Sequence, residues 1–304
     1  MRKFIAVLVM GFFIVSCQQI SFAAPKSDPT LPNKITEAIK KLGSPNKTDQ
    51  KKAFKDLVEF GTNAVDQLNG VLNDKNSDKE VVAYTCDILG EINDAKAVDP
   101  LILILNHRSA KARYSAARAL GNLKDKRATG HLVSVLDDED YMVREFSVIA
   151  LGKILDLTAV SPVIKKLTDS NGTVRAAAAK TLGQFADKQA VPALIKCLSN
   201  DDFAEARCNC ADALGIIKDP EATQALIGAL RNDYDYKTRG ASAFALGEIR
   251  AQEALPFLID ALKDEYKDVQ VFAGESLNKI TGLSHGRNQG MWREWFKMQS
   301  PANK

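Results

Sequence analysis

Histidine is nearly absent from this 304-residue chain: His107, His131 and His285 stand apart, and none has the Glu neighbour of a metal-ligating pair. That scarcity argues against iron or zinc chemistry, and neither a metal nor a cofactor is expected. Aromatics are only 7% of the residues, and no segment alternates apolar and polar side chains between turn signals, so no strand is expected. No Ser-His-Asp set, carboxylate pair or Gly-rich phosphate loop stands out. An excess of one charge is missing too. The formal charge is +3, and about +1 once Arg2 and Lys3 are removed, so nothing draws the chain to nucleic acid.

Long apolar runs are also lacking. The longest, Phe4 to Val15, is too short to span a bilayer but suits the core of a secretory signal after the basic start Arg2-Lys3. Ile14-Val15-Ser16-Cys17 resembles a bacterial lipobox, which makes residues 1–16 the signal and Cys17 the candidate lipid attachment site. Ser21-Phe22-Ala23 offers an ordinary signal peptidase site instead. The lipobox is favoured because Cys17 directly follows the apolar run, and Gln18 after it resembles lipoproteins of the outer membrane. Either way the mature chain leaves the cytoplasm, lipid-anchored in the envelope or soluble in the periplasm. Residues 17–30, polar and Pro-bearing towards their end, read as a tether.

What the chain does have is a repeat. RYSAARALGNL from Arg113, REFSVIALGKI from Arg144, RAAAAKTLGQF from Arg175, RCNCADALGII from Arg207 and RGASAFALGEI from Arg239 are its clearest copies. Leu57, Leu89, Leu120, Leu151, Leu182, Leu214, Leu246 and Leu277 mark the register, 31 or 32 residues apart. Such a period signals a stack of supersecondary units that bury their cores against one another. A first apolar segment precedes each copy, as in AVDPLILIL from Ala97 and AVPALIKCL from Ala190. Within the second segment Val143, Ser147, Ala150, Leu151 and Ile154 fall on one helical face.

Asp94, Asp125, Asp156, Asp187 and Asp219 follow the register Leu by five residues, where each can cap the next helix. A second acidic set (Asp137, Asp138, Asp169, Asp201, Asp202, Asp233, Asp264) marks the turn inside each pair. Gly90, Gly121, Gly152, Gly183, Gly215 and Gly247 follow the register Leu directly, each disfavouring the helix by about 1 kcal/mol against Ala. Close approach of the next helix explains them. Val58 and Asn278 replace Gly in the end copies.

The unit resembles the short HEAT-like repeat, of the kind found in phycobilisome lyases and bacterial scaffold proteins. The resemblance covers residues 31–281 and implies an all-α fold, a right-handed α-solenoid of about eight helical pairs. Residues 282–304, whose Trp292, Trp295 and Phe296 resemble the Trp-x-x-Trp endings of related chains, read as a C-terminal capping helix. Because such proteins differ widely in what they bind, the resemblance fixes the fold more than the function. It also raises an alternative, a chromophore lyase-like or other cofactor-attaching activity, which export argues against.

Arg113, Arg144, Arg175, Arg207 and Arg239 form a ladder that reads as structural, each Arg pairing with a turn Asp of its own or the next repeat; Val82 and Gln270 interrupt it. Cys86 and Cys210 stand where other copies have Ala or Ser and read as small core residues. Export permits a bridge from Cys197 to Cys208 or Cys210.

Function is expected on the exposed ridge of the second helices, which line the concave side in HEAT-like stacks. The ridge carries Tyr84, Ser115, Arg118, Met142, Phe146, Ile149, Lys180, Phe244 and Phe272, with the Met142–Phe146–Ile149 trio its most apolar part. The expected activity is capture of a protein segment there by a non-catalytic scaffold.

Overall fold

The computed structural model describes residues 28–299. The signal, the candidate lipid site Cys17 and most of the tether lie outside the described residues. Helices follow in pairs: α1 (Leu31–Leu42) with α2 (Lys47–Phe60), α3 (Val65–Asn73) with α4 (Lys79–Ile92), and α5 (Val98–Ile104) with α6 (Ala110–Leu123). Next come α7 (Thr129–Ser134) with α8 (Tyr141–Ile154), and α9 (Val160–Lys165) with α10 (Gly172–Phe185). Then follow α11 (Val191–Asn200) with α12 (Ala204–Ile217), α13 (Thr223–Asn232) with α14 (Tyr236–Ile249), and α15 (Leu255–Ala261) with α16 (Lys267–Thr281). A last helix, α17 (Gln289–Gln299), ends the described chain. The architecture is an all-α solenoid, and every register Leu is fully buried within it.

Sequence dictates where each element starts. Asp94, Asp125, Asp156, Asp187 and Asp219 cap as expected, but what they cap is a single 3-10 turn leading into the first helix. Their carboxylates accept the N–H two residues on, at 2.8–3.1 Å. The residue before each of these Asp ends the preceding second helix in the left-handed region, at φ 53–58°. Glycine usually fills such a place, yet here Asn93, Lys124, Leu155, Ala186 and Lys218 adopt it. Ala251 replaces the Asp in the last turn of this kind, and that turn has no side-chain cap.

The glycines after the register Leu have the packing reason expected of them. A Cβ on Gly121 would stand 2.8 Å from the Cα of Ala150 in the next second helix, and one on Gly90 equally near the Cα of Ala119. Gly183 and Gly215 meet Ala213 and Ala245 in the same way, and Gly247 meets Ser276. Each glycine therefore faces the small residue just before the next register Leu. Between α2 and α4 both halves of this contact change together: Val58 replaces Gly, and Ile88 replaces the small residue. That interface is correspondingly thinner.

Consecutive second helices touch along most of their length, whereas consecutive first helices meet in fewer places. The second helices therefore form the tighter, inner layer of the stack. At the far end α17 packs on α15. Trp292 is wholly buried, with its indole N–H donating to the Gly286 carbonyl at 2.9 Å and Trp295 set edge-on at 5.7 Å. Gln289 donates to the Ile259 carbonyl at 2.8 Å, and Arg293 pairs with Asp260 at 3.0 Å.

Two glycine substitutions should act in opposite directions in urea unfolding. Gly121→Ala, which drives a methyl into the α8 backbone, is expected to destabilise by about 1–3 kcal/mol despite better helix propensity. Gly228→Ala, inside α13 with open space around it, is expected to stabilise by up to about 1 kcal/mol. The same sign for both would contradict the close-approach explanation.

Candidate functional site

The arginine ladder spans neighbouring pairs. Arg144 holds Asp169 through Nε and Nη2 at 2.9 and 2.8 Å while its Nη1 donates to the Asp138 carbonyl of the preceding turn at 2.9 Å. Arg175 joins Asp201 to the Asp169 carbonyl in the same way, Arg207 joins Asp233 to Asp201, and Arg239 joins Asp264 to Asp233. Each of these Asp also accepts an N–H of its own turn at 2.9 Å. These four guanidiniums thus clamp two consecutive turns in bidentate geometry, whereas Arg113 holds Asp138 through Nη2 alone, at 2.7 Å, with its Nη1 on the His107 carbonyl at 3.0 Å and its Nε buried without a partner. In these four rungs Nε, Nη1 and Nη2 are all engaged within the scaffold, which fits the structural role that the matched countercharges implied.

Its ends explain the two interruptions. Val82 occupies the Arg place in α4, so no guanidinium reaches the next turn, and there His107 stands where Asp stands elsewhere. Burial and the nearby Arg108 hold His107 below the usual histidine range. Its Nδ1 accepts the Ser109 N–H at 3.1 Å, as an Asp oxygen would. At the other end Gln270 donates to the Asp264 carbonyl at 2.7 Å, and the ladder stops.

Burial raises the carboxyl pKa values of Asp169, Asp201 and Asp264, but their Arg partners and turn N–H groups outweigh it and hold them below the ordinary range. A carboxyl that binds protons less readily when folded stabilises the fold fully above its ordinary pKa of about 4. That stability drains as pH falls further, through the lowered folded values.

The cysteines need a correction. Cys210 is not merely a small core residue: it is bridged to Cys197, with Cα atoms 6.6 Å apart. Cys208, two residues away, points to a different face of α12 and remains free, as does the buried Cys86.

On the inner ridge, the expected residues do not form one exposed stripe. Ser115 is buried. Tyr84 is half-buried beneath Lys111, whose ammonium lies 5.1 Å from the ring centroid. Arg118 pairs with Asp87 at 2.6 Å and reaches over Phe146. Met142, Phe146 and Ile149 are all half-buried, and Phe146 stacks on Tyr114 at 5.6 Å. Phe146 is therefore engaged sideways by the preceding repeat, and none of the three is fully exposed.

Two grooves remain where a second helix bears small residues between bulkier neighbours. Over α10, Ala176 and Ala177 form the floor of a groove of about 330 Å³ edged by Ile149, Lys180, Glu205 and Asn209. Over α14, Gly240 and Ala241 lie under a larger one of about 400 Å³. Phe244 and Phe272 wall it, edge to face at 6.1 Å and both exposed, with Cys208, Asp212, Tyr236, Lys237 and Asp268 around them. A Cβ on Gly240 would press the Phe272 ring at 3.1 Å. Beside the groove Tyr236 stacks flat on Tyr266 at 4.3 Å.

The structure thus brings together Phe244 with Phe272, and Ile149 with Lys180. Sequence reasoning missed Gly240, Tyr236 and Cys208 as groove residues. Gly240 was the available signal, a glycine away from the register position in a helix that needs none there. Burial first, then the carboxylates of Asp212 and Asp235, push the Cys208 thiol up to about 12, so it is a poor nucleophile at neutral pH. Asp212 is solvent-accessible, but the groove wall desolvates its carboxyl and raises its pKa.

A family model described as HEAT repeats matches residues 98–165, 160–235 and 223–285. Among solved structures, YibA of Escherichia coli is 20% identical over 85% of this chain and 99% of its own, with a TM-score of 0.62. An engineered protein is 21% identical over 88% of this chain and 85% of its own, at a TM-score of 0.56. The complex of CpcE and CpcF of phycocyanin lyase from Nostoc sp. PCC7120 is 21% identical over 86% of this chain and 98% of that one, but its TM-score of 0.45 carries no argument. At these identities the likeness shows the fold. No curated protein matches the sequence.

The ladder yields a direct comparison in urea unfolding. Asp233→Ala strands the buried Arg207 and removes a turn acceptor, and is expected to destabilise by about 3–5 kcal/mol. Glu265→Ala, at a carboxylate 76% exposed beside Arg239, should change stability by less than about 0.5 kcal/mol. Equal effects would contradict a structural role for the buried pairs.

Proposed function

Because the chain belongs to the HEAT-repeat family, we propose that it is a non-catalytic scaffold of the bacterial cell envelope that captures a protein segment on its inner face. The groove over α14 carries this reading. Phe244 and Phe272 are exposed there together on the layer that the stack curves around, and large apolar side chains grouped on a solvated face mark binding surfaces. The ladder supports it indirectly, because the strongest charges of the repeats are consumed in holding the scaffold. The apolar run and Cys17 support an envelope location, with an N-terminal lipid as the attachment to the membrane.

A photo-crosslinking residue placed at Lys237, on the groove wall, should capture one defined envelope protein in living cells. Phe244→Asp should abolish that adduct while far-UV circular dichroism stays unchanged. The same crosslinker at Leu103, 66% exposed on α5 of the outer layer, should not give it. An adduct that survives Phe244→Asp, or that forms equally at Leu103, would overturn the proposal.

A further inference from the structure

The groove over α14 is charged as well as apolar, and its charge is one-sided. Asp212 of α12 and Asp268 of α16 face each other across it, with Lys237 the single lysine on its wall. Glu205 and Glu275 extend the same ridge positions on either side, and all four carboxylates are exposed. Among the described residues none of the four is ion-paired. Two lysines of the neighbouring helices are held elsewhere: Lys218 pairs with Glu248 at 2.7 Å, and Lys279 pairs with the same Glu248. This contrasts with the N-terminal part of the ridge, where Glu80 meets Lys111 and Asp87 meets Arg118.

We propose that the groove over α14 binds a polypeptide segment in which apolar side chains are interspersed with lysine or arginine. The apolar side chains sit between Phe244 and Phe272, above the floor that Gly240 keeps open. The cations reach Asp212 and Asp268, and ring faces beside the carboxylates add to their attraction. A cation arriving at Asp212 returns to that partly desolvated carboxylate what the groove wall removes, so the ligand's charge acts at the groove and not only at its rim.

Shape favours a segment over a compact small molecule. The groove crosses α12, α14 and α16, and at about 8–10 Å between packed helices it extends for about 20 Å. That length accommodates about six residues of extended chain. Among the described residues no group of three or more His, Cys, Asp or Glu is placed to hold a metal ion. The raised thiol pKa of Cys208 fits a groove that binds without covalent chemistry. The inference rests on the capture reading and specifies the chemistry of what is captured.

The test uses the mature chain and fluorescein-labelled 14-residue amphipathic peptides, one of Leu and Lys and one with Glu in place of every Lys. Fluorescence anisotropy should show the Leu/Lys peptide binding at least tenfold more tightly, with an affinity that falls as salt rises. Asp212→Asn with Asp268→Asn should weaken it about tenfold and flatten the salt dependence, whereas Lys237→Gln should not weaken it. Phe244→Ala should weaken it as well. Equal binding of the two peptides, or unchanged binding by the double Asn variant, would overturn the proposal. If the Lys237 adduct forms in cells but the Lys preference is missing, the ligand chemistry is wrong and capture stands. A clear Lys preference without any adduct contradicts the capture reading and leaves the groove chemistry in place.

Discussion

Backbone-to-backbone proximity between consecutive second helices is the constraint on which the rest of this molecule depends. It permits no side chain after the register Leu and only a small one before it, which is why Gly121 meets Ala150 and Gly247 meets Ser276. Bringing one layer this close while the other is held apart by larger side chains gives the stack an inner and an outer side. The inner side then exposes only the ridge that helix–helix contact leaves uncovered. Where a helix on that ridge carries Gly240 and Ala241 instead of bulk, the ridge opens into a groove.

Charge follows the same geometry. The turns inside consecutive pairs are brought near enough for one guanidinium to hold two of them. Because each Arg reads the carbonyl of its own turn and the carboxylate of the next, a change on one side requires a change on the other. Val82 with His107 shows it: remove the cation, and a neutral ring suffices to cap the turn. Val58 with Ile88 is the apolar counterpart at the first interface. These paired departures make the terminal repeats cohere with the array although they break its pattern.

Much of the scaffold was legible in the sequence for this reason. Register leucines, capping aspartates, glycines and the Arg–Asp ladder repeat with the period, and a feature that repeats against a matching feature identifies its own partner. The site was legible only in part. Phe146 lies on the predicted ridge, but whether it is open depends on Tyr114 and Arg118 one repeat earlier, and sequence spacing does not supply their rotamers. Phe244, two residues before its register Leu, and Phe272, five before its own, both lie on the predicted ridge, yet their joining into one groove depends on Gly240 between them. The choice of Cys210 over Cys208 as the partner of Cys197 likewise follows from the face of α12 that looks back at α11.

The central claim is that the C-terminal part of the inner layer, and no other surface, receives the ligand. Hydrogen–deuterium exchange of the mature chain with and without the Leu/Lys peptide or the captured envelope protein tests it most directly. Added protection confined to α12, α14 and α16 is the result this account predicts. Protection appearing instead on α4 to α8, or on the outer helices α11, α13 and α15, would contradict it.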